Sequence, residues 1–341
     1  MLNRFLIFIV ASFAILSVSC KKDPGNKNNT ASIDTGSNYI GAAPVAAMFA
    51  DTGRTISFKP SAAINLSNQH DVVIDGVGTS SISLFACQNI TIKNCRIAPD
   101  KNGNGGIVVQ TCTNITIDSC YISDVPTGIS ARQSQSIVVT HCEAKNMKGP
   151  FPAGQFVQFV WVSGGGNRIA FNKFENILGE SDPEDAISIN NSNGLASDPI
   201  MVENNWLRGG GPSSSGGGIM LGDEGGSYQV AKNNILVDPG QYGMAVSCGD
   251  HMAIVNNSIY AKSQYFTTEG IYYQNWYPTI PSYNITIEKN AVNFTNSTGQ
   301  LETLYLGPNN PAPIGWSKNV YNATFNESLL PKEIVSSSIF Q

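Results

Sequence analysis

The amino-acid sequence predicts an all-β fold, a right-handed parallel β-helix solenoid of about eight to nine rungs with terminal caps. Three observations predict it. A short phrase recurs: "NITIKNCRI" at 89–97 returns as "NITIDSCYI" at 114–122, and then as "SIVVTHCEA" (136–144), "RIAFNKF" (168–174), "PIMVENNWL" (199–207), "YQVAKNNIL" (228–236), "HMAIVNNSI" (251–259) and "NITIEKNAV" (284–292). A second type of strand sits between the copies, as "GIVV" (106–109), "GISA" (128–131), "AISI" (186–189), "GIML" (218–221), "GMAV" (243–246) and "GIYY" (270–273). One turn position then keeps its character, reading Cys95, Cys120, Cys142, Asn172, Asn205, Asn234, Asn257 and Asn290.

Each element follows from local pattern. Aliphatics alternate with polar residues inside the phrase, which is a strand with one buried face. A polar turn follows, and two residues past the ladder position stands Ile97, Ile122, Ala144, Phe174, Leu207, Leu236, Ile259 or Val292. That aliphatic marks a short further strand. Nothing in the repeat has helical spacing, so each period is one all-β coil adding about 4.8 Å along the axis. Identical positions then stack, and a residue that fits one coil fits the next. Stacked Asn side chains satisfy each other and the turn backbone. The cysteines are steps of the same ladder, and Cys87 and Cys112 form a second pair. The alternative, a metal site, has only the spacing of the repeat to support it. In-register side chains point in parallel, so free buried thiols are expected rather than disulfides.

The chain has 341 residues, only 13% of them charged, 33 glycines and a net charge of −5. Such a chain has no electrostatic reason to seek nucleic acid or an anionic membrane. The opening "MLNRFLIFIVASFAILSVSC" has a basic start, an apolar run and small residues before Cys20. It reads as a secretion signal, too short for a spanning helix. Its "LSVSC" ending resembles the lipobox of bacterial lipoproteins. That resemblance implies residues 1–19 as a signal peptide, a lipidated Cys20, and a place at the outer membrane or cell surface, with the membrane touched only through the lipid. Residues 20–45 are polar and aperiodic and read as a tether. Residues 46–341 form one domain, with rungs from about 70 to 305 and a C-terminal cap over 306–341, where "NESLLPKEIV" is expected to be a short amphipathic cap helix.

The repeat over 60–305 resembles the pectate-lyase-like superfamily. The longest insertions, such as "KNMKGPFPAGQF", "ENILGESDPED" and "RGGGPSSSGG", all leave beside the second strand type. Loops gathered on one face of a solenoid form its usual binding surface, and the resemblance implies a substrate groove at that edge. The glycine-rich insertion reads as a flexible lip.

The chemistry sits there. "GESDPEDAISINN" carries Glu180, Asp182, Glu184 and Asp185, and "SGGGIMLGDEGGS" one coil on carries Asp223 and Glu224. Close carboxylates raise each other's pKa, which suits general acid work; alternatively Asp182, Glu184 and Asp185 hold a calcium ion, or the loop is merely solvated. "EDAISI" and "GGGIMLGDEGG" are similar to segments of polygalacturonases, which implies Glu184 and Asp185 as catalytic carboxylates with Asp223 beside them. The pattern departs from that family at Gly217, where it has a histidine. Arg208, Ser188, Tyr272 and Trp276 are candidate sugar contacts, the aromatics because a ring face suits a pyranose. Lys148, Arg132, Tyr273 and His251 are further candidates, His251 more simply as a structural residue. The function expected is that of a monomeric protein that binds and cleaves a polysaccharide by lysis or hydrolysis. The alternative is a surface glycan-binding protein without catalysis.

Overall fold

The computed structural model describes residues 57–213 and 216–335. Cys20 and the segments read as signal and tether lie outside the described residues. What is described is three rows of short parallel strands wound around one apolar core.

The first row holds the second strand type, from Ile64–Ser67 and Ser81–Phe85 through Gly106–Gln110, Ile129–Arg132, Val157–Val160 and Ile187–Asn193 to Tyr242–Val246, Glu269–Tyr273 and Leu304–Leu306. Its inward column stacks Ile64, Ile82, Ile107, Ile129, Val157, Ile187, Ile219, Met244, Ile271 and Leu304 in register. The second row is the recurring phrase, with Ile74, Ile92, Ile117, Val139, Ile169, Val202, Ala231, Ile254 and Ile287 stacked inward. Strand Ile219–Lys232 runs through both rows and joins them into one nineteen-stranded sheet. The third row is a separate ten-stranded sheet, in which Thr79, Ile97, Ile122, Ala144, Phe174, Leu207, Leu236, Ile259 and Val292 stack. The post-turn aliphatics of the sequence therefore fill the third wall of the core. Stacking begins earlier than expected: Lys59–Pro60 and Ile64–Ser67 already pair with the next coil instead of forming a separate cap.

The ladder closes the turn between the second and third rows. The Cys142 backbone N–H donates to Asn172 Oδ1 at 2.9 Å, and Asn172 Nδ2 donates to Asn205 Oδ1 at 2.9 Å. The same side-chain bond repeats from Asn205 to Asn234, Asn234 to Asn257, and Asn257 to Asn290, and ends on Asn319. Asn319 is one step further than the sequence pattern reached, because no strand phrase precedes it. The residue before each step from Cys95 to Asn290 is left-handed, with φ of 51° at Asn94, 56° at Asn204, 57° at Asn233 and 57° at Asn256. Asparagine tolerates that region better than most residues, which explains the paired "NN" of the phrase. The second turn has its own short ladder: Cys87 N–H donates to Cys112 Sγ at 3.3 Å, and Cys112 N–H to Ser134 Oγ at 3.0 Å.

Cys87, Cys95, Cys112, Cys120, Cys142 and Cys248 are all buried and unbonded to one another. The hydrogen bond with the neighbouring thiol, and then burial, push Cys95 and Cys120 well above the ordinary thiol range. A thiolate is the reactive species, so these groups are expected to be inert in the native state. Titration of the mature domain lacking Cys20 should release six thiols only on adding denaturant. Immediate labelling without denaturant would contradict the packing.

The cap helix does not form. "NESLLPKEIV" holds a single 3-10 turn at Glu327–Leu329, capped by Asn326, whose side chain accepts from the Ser328 N–H at 2.8 Å. The segment does not cover the last coil either. It runs back along the outside of the third row, with Leu330, Ile334 and Val335 packing on Trp206, Ile235 and Val237. Those three are outward positions of the third row, and an apolar outer stripe needs a cover. Pro331 rules out a helix continuing from the turn, and the chain follows the stripe in a series of bends.

Candidate functional site

The connections from the third row to the first carry the carboxylates. Residues 176–186 lie between loops 146–156 and 209–218, in backbone contact with both. The Gly217 backbone approaches Tyr242 so closely that a Cβ there would sit 2.5 Å from the Tyr242 carbonyl oxygen and 2.8 Å from its ring. At Gly216 it would meet the Glu184 backbone at 2.6 Å. The glycines expected to make a flexible lip are there because loops stack in van der Waals contact. This corrects that expectation for all described residues of the loop.

This stacking buries the acidic residues unequally. Asp182 is exposed, while Glu184 is 8% and Asp185 6% exposed. Asp185 Oδ1 accepts from the Gly217 N–H at 2.9 Å and from the Tyr242 hydroxyl in a short bond. Burial raises the Asp185 carboxyl to about 8, with the charge of Glu184 adding to it and the Tyr242 hydrogen bond opposing it. Burial thus favours the protonated form of Asp185. Glu184 Oε2 accepts from the Ser213 hydroxyl at 2.5 Å. The three carboxylates expected to share calcium do not come together as a ligand set. Among the described residues no group of three carboxylate, histidine or cysteine side chains stands close enough to hold a metal ion. Asp185 has an oxygen already committed to two donors, and Asp182 is out in solvent.

Asp223 lies beyond a bulge in the first row, paired with Asn190. It is half-buried, and its two oxygens accept from Asn190 Nδ2 at 2.9 Å and the Tyr277 hydroxyl at 3.2 Å. Burial first, then the charge of Asp223, pushes the Tyr277 phenol up to about 12, so it stays a donor. Trp276 beside it is 63% exposed.

Ser188, Met220, Ala245 and Tyr272 stack in register as the outward column of the first row. They are covered nonetheless: Ser188 is 2% and Tyr272 8% exposed. Tyr272 meets Tyr242 edge-on with ring centroids 5.0 Å apart, in a small apolar cluster with Met220 and Ala245. Tyr272 thus supports the site from beneath and offers no open face to a sugar. Trp276 is exposed and Tyr277 half-buried beside Asp223; Tyr305, in register with Tyr272, is 40% exposed, and Trp161 is 49% exposed at the turn after Val157–Val160.

Arg208 is placed elsewhere. It belongs to the third row, where its Nη2 donates to the Leu330 carbonyl at 3.1 Å and the Pro331 carbonyl at 2.7 Å, and its Nε lies 3.5 Å from Glu175. It fastens the C-terminal segment. Tyr273 points inward, and its hydroxyl donates to Ser282 at 2.9 Å. His251 stacks on Tyr228 at 4.6 Å, with its Nδ1 2.6 Å from Asp250. Arg132 is exposed on the first row. Sequence reading missed Tyr242 and Asn190. The alternation in "QYGMAV" assigns Tyr242 to the core, yet its ring packs with Met220, Ala245 and Tyr272 and its hydroxyl donates to Asp185.

Residues 55–155 match the family model described as "Right handed beta helix region". The fold is a right-handed parallel β-helix. No curated protein matches the chain. Among solved structures, a tailspike protein mutant of E. coli bacteriophage HK620 in complex with pentasaccharide is similar, at 10% identity and a TM-score of 0.41, with 75% of this chain and 58% of that one covered. The catalytic domain of a GH87 α-1,3-glucanase in complex with tetrasaccharides is similar at 12% identity and a TM-score of 0.40, with 70% and 54% covered. The β-helix described here thus spans a little over half the length of these structures.

Proposed function

We propose that the protein is a carbohydrate-active β-helix that binds a polysaccharide along the outer face of its first row and hydrolyses it there. The observation that carries this reading is the pairing of two unlike carboxyls on one face. Asp185 is kept protonated by burial, and Asp223 is a half-buried carboxyl held by Asn190 and Tyr277 next to the exposed Trp276. Unlike environments for two carboxyls are what acid and base roles require. In this reading the acid protonates the departing glycosidic oxygen as the C–O bond breaks. Water adds its hydroxyl to the anomeric carbon and gives its proton to the carboxylate.

A specific observation favours the second reading, binding without cleavage: Asp185 and Tyr272 are both covered by the packed loops. One experiment separates them. The protein is run in gels containing a panel of polysaccharides, and the same polysaccharides are assayed for new reducing ends. Retardation with product release supports hydrolysis, and Asp185→Asn should then stop release while leaving retardation intact. Retardation without release supports binding alone. Release undiminished in Asp185→Asn would remove Asp185 from the mechanism.

We further propose that the mature chain begins at a lipidated Cys20 and is held at the bacterial outer membrane or cell surface. The sequence "LSVSC" and the polar stretch after it support this. Incorporation of labelled palmitate, lost in Cys20→Ala, tests it.

A further inference from the structure

The two modes of cleavage expected from the sequence make opposite electrostatic demands. A lyase must neutralise the carboxylate of an acidic sugar, most effectively with a cation or a metal ion, before it can remove the neighbouring proton. A hydrolase acting on an uncharged or amino sugar needs no such group. The placement of every cationic side chain near the face is therefore informative about substrate.

Among the described residues, Arg132 is the one cationic side chain on the first-row strands. It stacks with Val160, then Asn190, then Asp223, which places it three coils away. Three coils are about 14 Å, well beyond the ~8 Å screening length at physiological salt. The cations expected to serve the site are already engaged. Arg208 is bound to the C-terminal segment on the third row, and Lys148, in the loop beside the acidic one, pairs with Asp124 at 3.0 Å and donates to the Glu180 carbonyl. Lys232 and Arg168 both pair with Glu203 on the second row, and Lys262 pairs with Asp238. What surrounds Asp223 is instead the exposed Glu224 next in sequence, the Tyr277 hydroxyl, Asn190 and Trp276. Two carboxylates, two neutral hydrogen-bonding side chains and an open indole make a surface that repels a polyanion and accepts hydroxyls or ammonium groups.

We infer that the glycan bound at Asp223 is uncharged or carries amino groups, that it is not a polyuronate, and that its cleavage is hydrolytic rather than eliminative. This rests on the polysaccharide reading above and narrows it to one class of substrate.

The test uses the full chain and three immobilised probes: a neutral glucan, chitosan and polygalacturonate. At low salt, retention on the glucan or chitosan is expected to exceed that on polygalacturonate by at least about tenfold. Added salt should weaken chitosan binding and leave glucan binding unchanged. Glu224→Lys adds a cation beside Asp223 without touching the carboxylate's partners. It is expected to lower chitosan retention severalfold and to raise that of polygalacturonate. Retention of polygalacturonate by the parent protein equal to that of the other two, or release from it of unsaturated products absorbing in the ultraviolet, would overturn the inference while upholding the polysaccharide reading. Retention on none of the three, with Glu224→Lys equally inert, would overturn both.

Discussion

Asp185→Asn is expected to be more thermostable than the parent protein at pH 8, with the advantage shrinking as the pH is lowered towards 4. The carboxyl has an ordinary value of 3.8 and is raised to about 8 in the folded protein, first by burial. The folded state therefore keeps a proton that the unfolded chain releases across that interval. The stabilisation is fully present below the unfolded value and is lost progressively as pH rises to about 8, after which both states are ionised and the loss levels off. In mid-window the slope approaches ~1.4 kcal/mol per pH unit, an upper figure for this one group. For a protein of this size that corresponds to roughly 2–4 °C per unit. Asparagine keeps the acceptor for the Gly217 N–H and the Tyr242 hydroxyl and cannot ionise. Melting curves of both proteins from pH 4 to 9 check this. Parallel curves would show that Asp185 does not titrate as a buried acid.

Asn234→Ala is expected to cost about 3–6 kcal/mol, the largest effect of a single polar deletion in this chain. Asn234 Oδ1 accepts from the Asn205 N–H at 3.0 Å and from Asn205 Nδ2 at 2.9 Å, and its own Nδ2 donates to the Val202 carbonyl at 2.9 Å. The residue is fully buried, so water cannot replace those partners. A fourth bond, from Asn234 Nδ2 to Asn257 Oδ1 at 3.0 Å, is lost as well; Asn205 Nδ2 keeps the Ile169 carbonyl and Asn257 Oδ1 keeps the Asn234 N–H, but the Asn205 N–H is left unsatisfied, and a group left so costs about 1–3 kcal/mol. Asn234→Cys should cost less, because the same position in three earlier coils is cysteine, and a thiol gives back a weak acceptor. The midpoint of urea unfolding measures both. A loss below about 1 kcal/mol for the alanine variant would mean that the ladder is ornament rather than support.

The solenoid was legible because its determinants are local and repeated. Every coil states the same alternation, and eight statements in one register leave little freedom. The ladder was legible for the same reason, down to its change from cysteine to asparagine at 172. The site was legible only as a neighbourhood. Loop lengths located the edge, and the shortage of charge drew attention to Glu184, Asp185 and Asp223. Their exposures were not readable, because they depend on backbone contacts between non-repeating loops, such as Gly216 on Glu184 and Gly217 on Tyr242. Tyr272 followed the outward parity of its strand, yet parity says nothing of what lies on top. Arg208 has the composition of a sugar contact and is instead held by carbonyls more than a hundred residues away, a pairing with no sequence signal at all.

That last pairing changes how the protein comes apart. A linear array of coils loses its ends first, since each coil is held only by its neighbours. Here the chain leaves the final coil and doubles back: Asn293 donates to the Phe325 carbonyl at 2.9 Å, Arg208 grips Leu330 and Pro331, and Lys145 faces Glu333 at 3.9 Å. The terminal coils are thereby tied to coils in the middle of the stack. Peeling from this end requires the doubled-back segment to be shed from five or six strands at once, so the C-terminal half is set to open as one block.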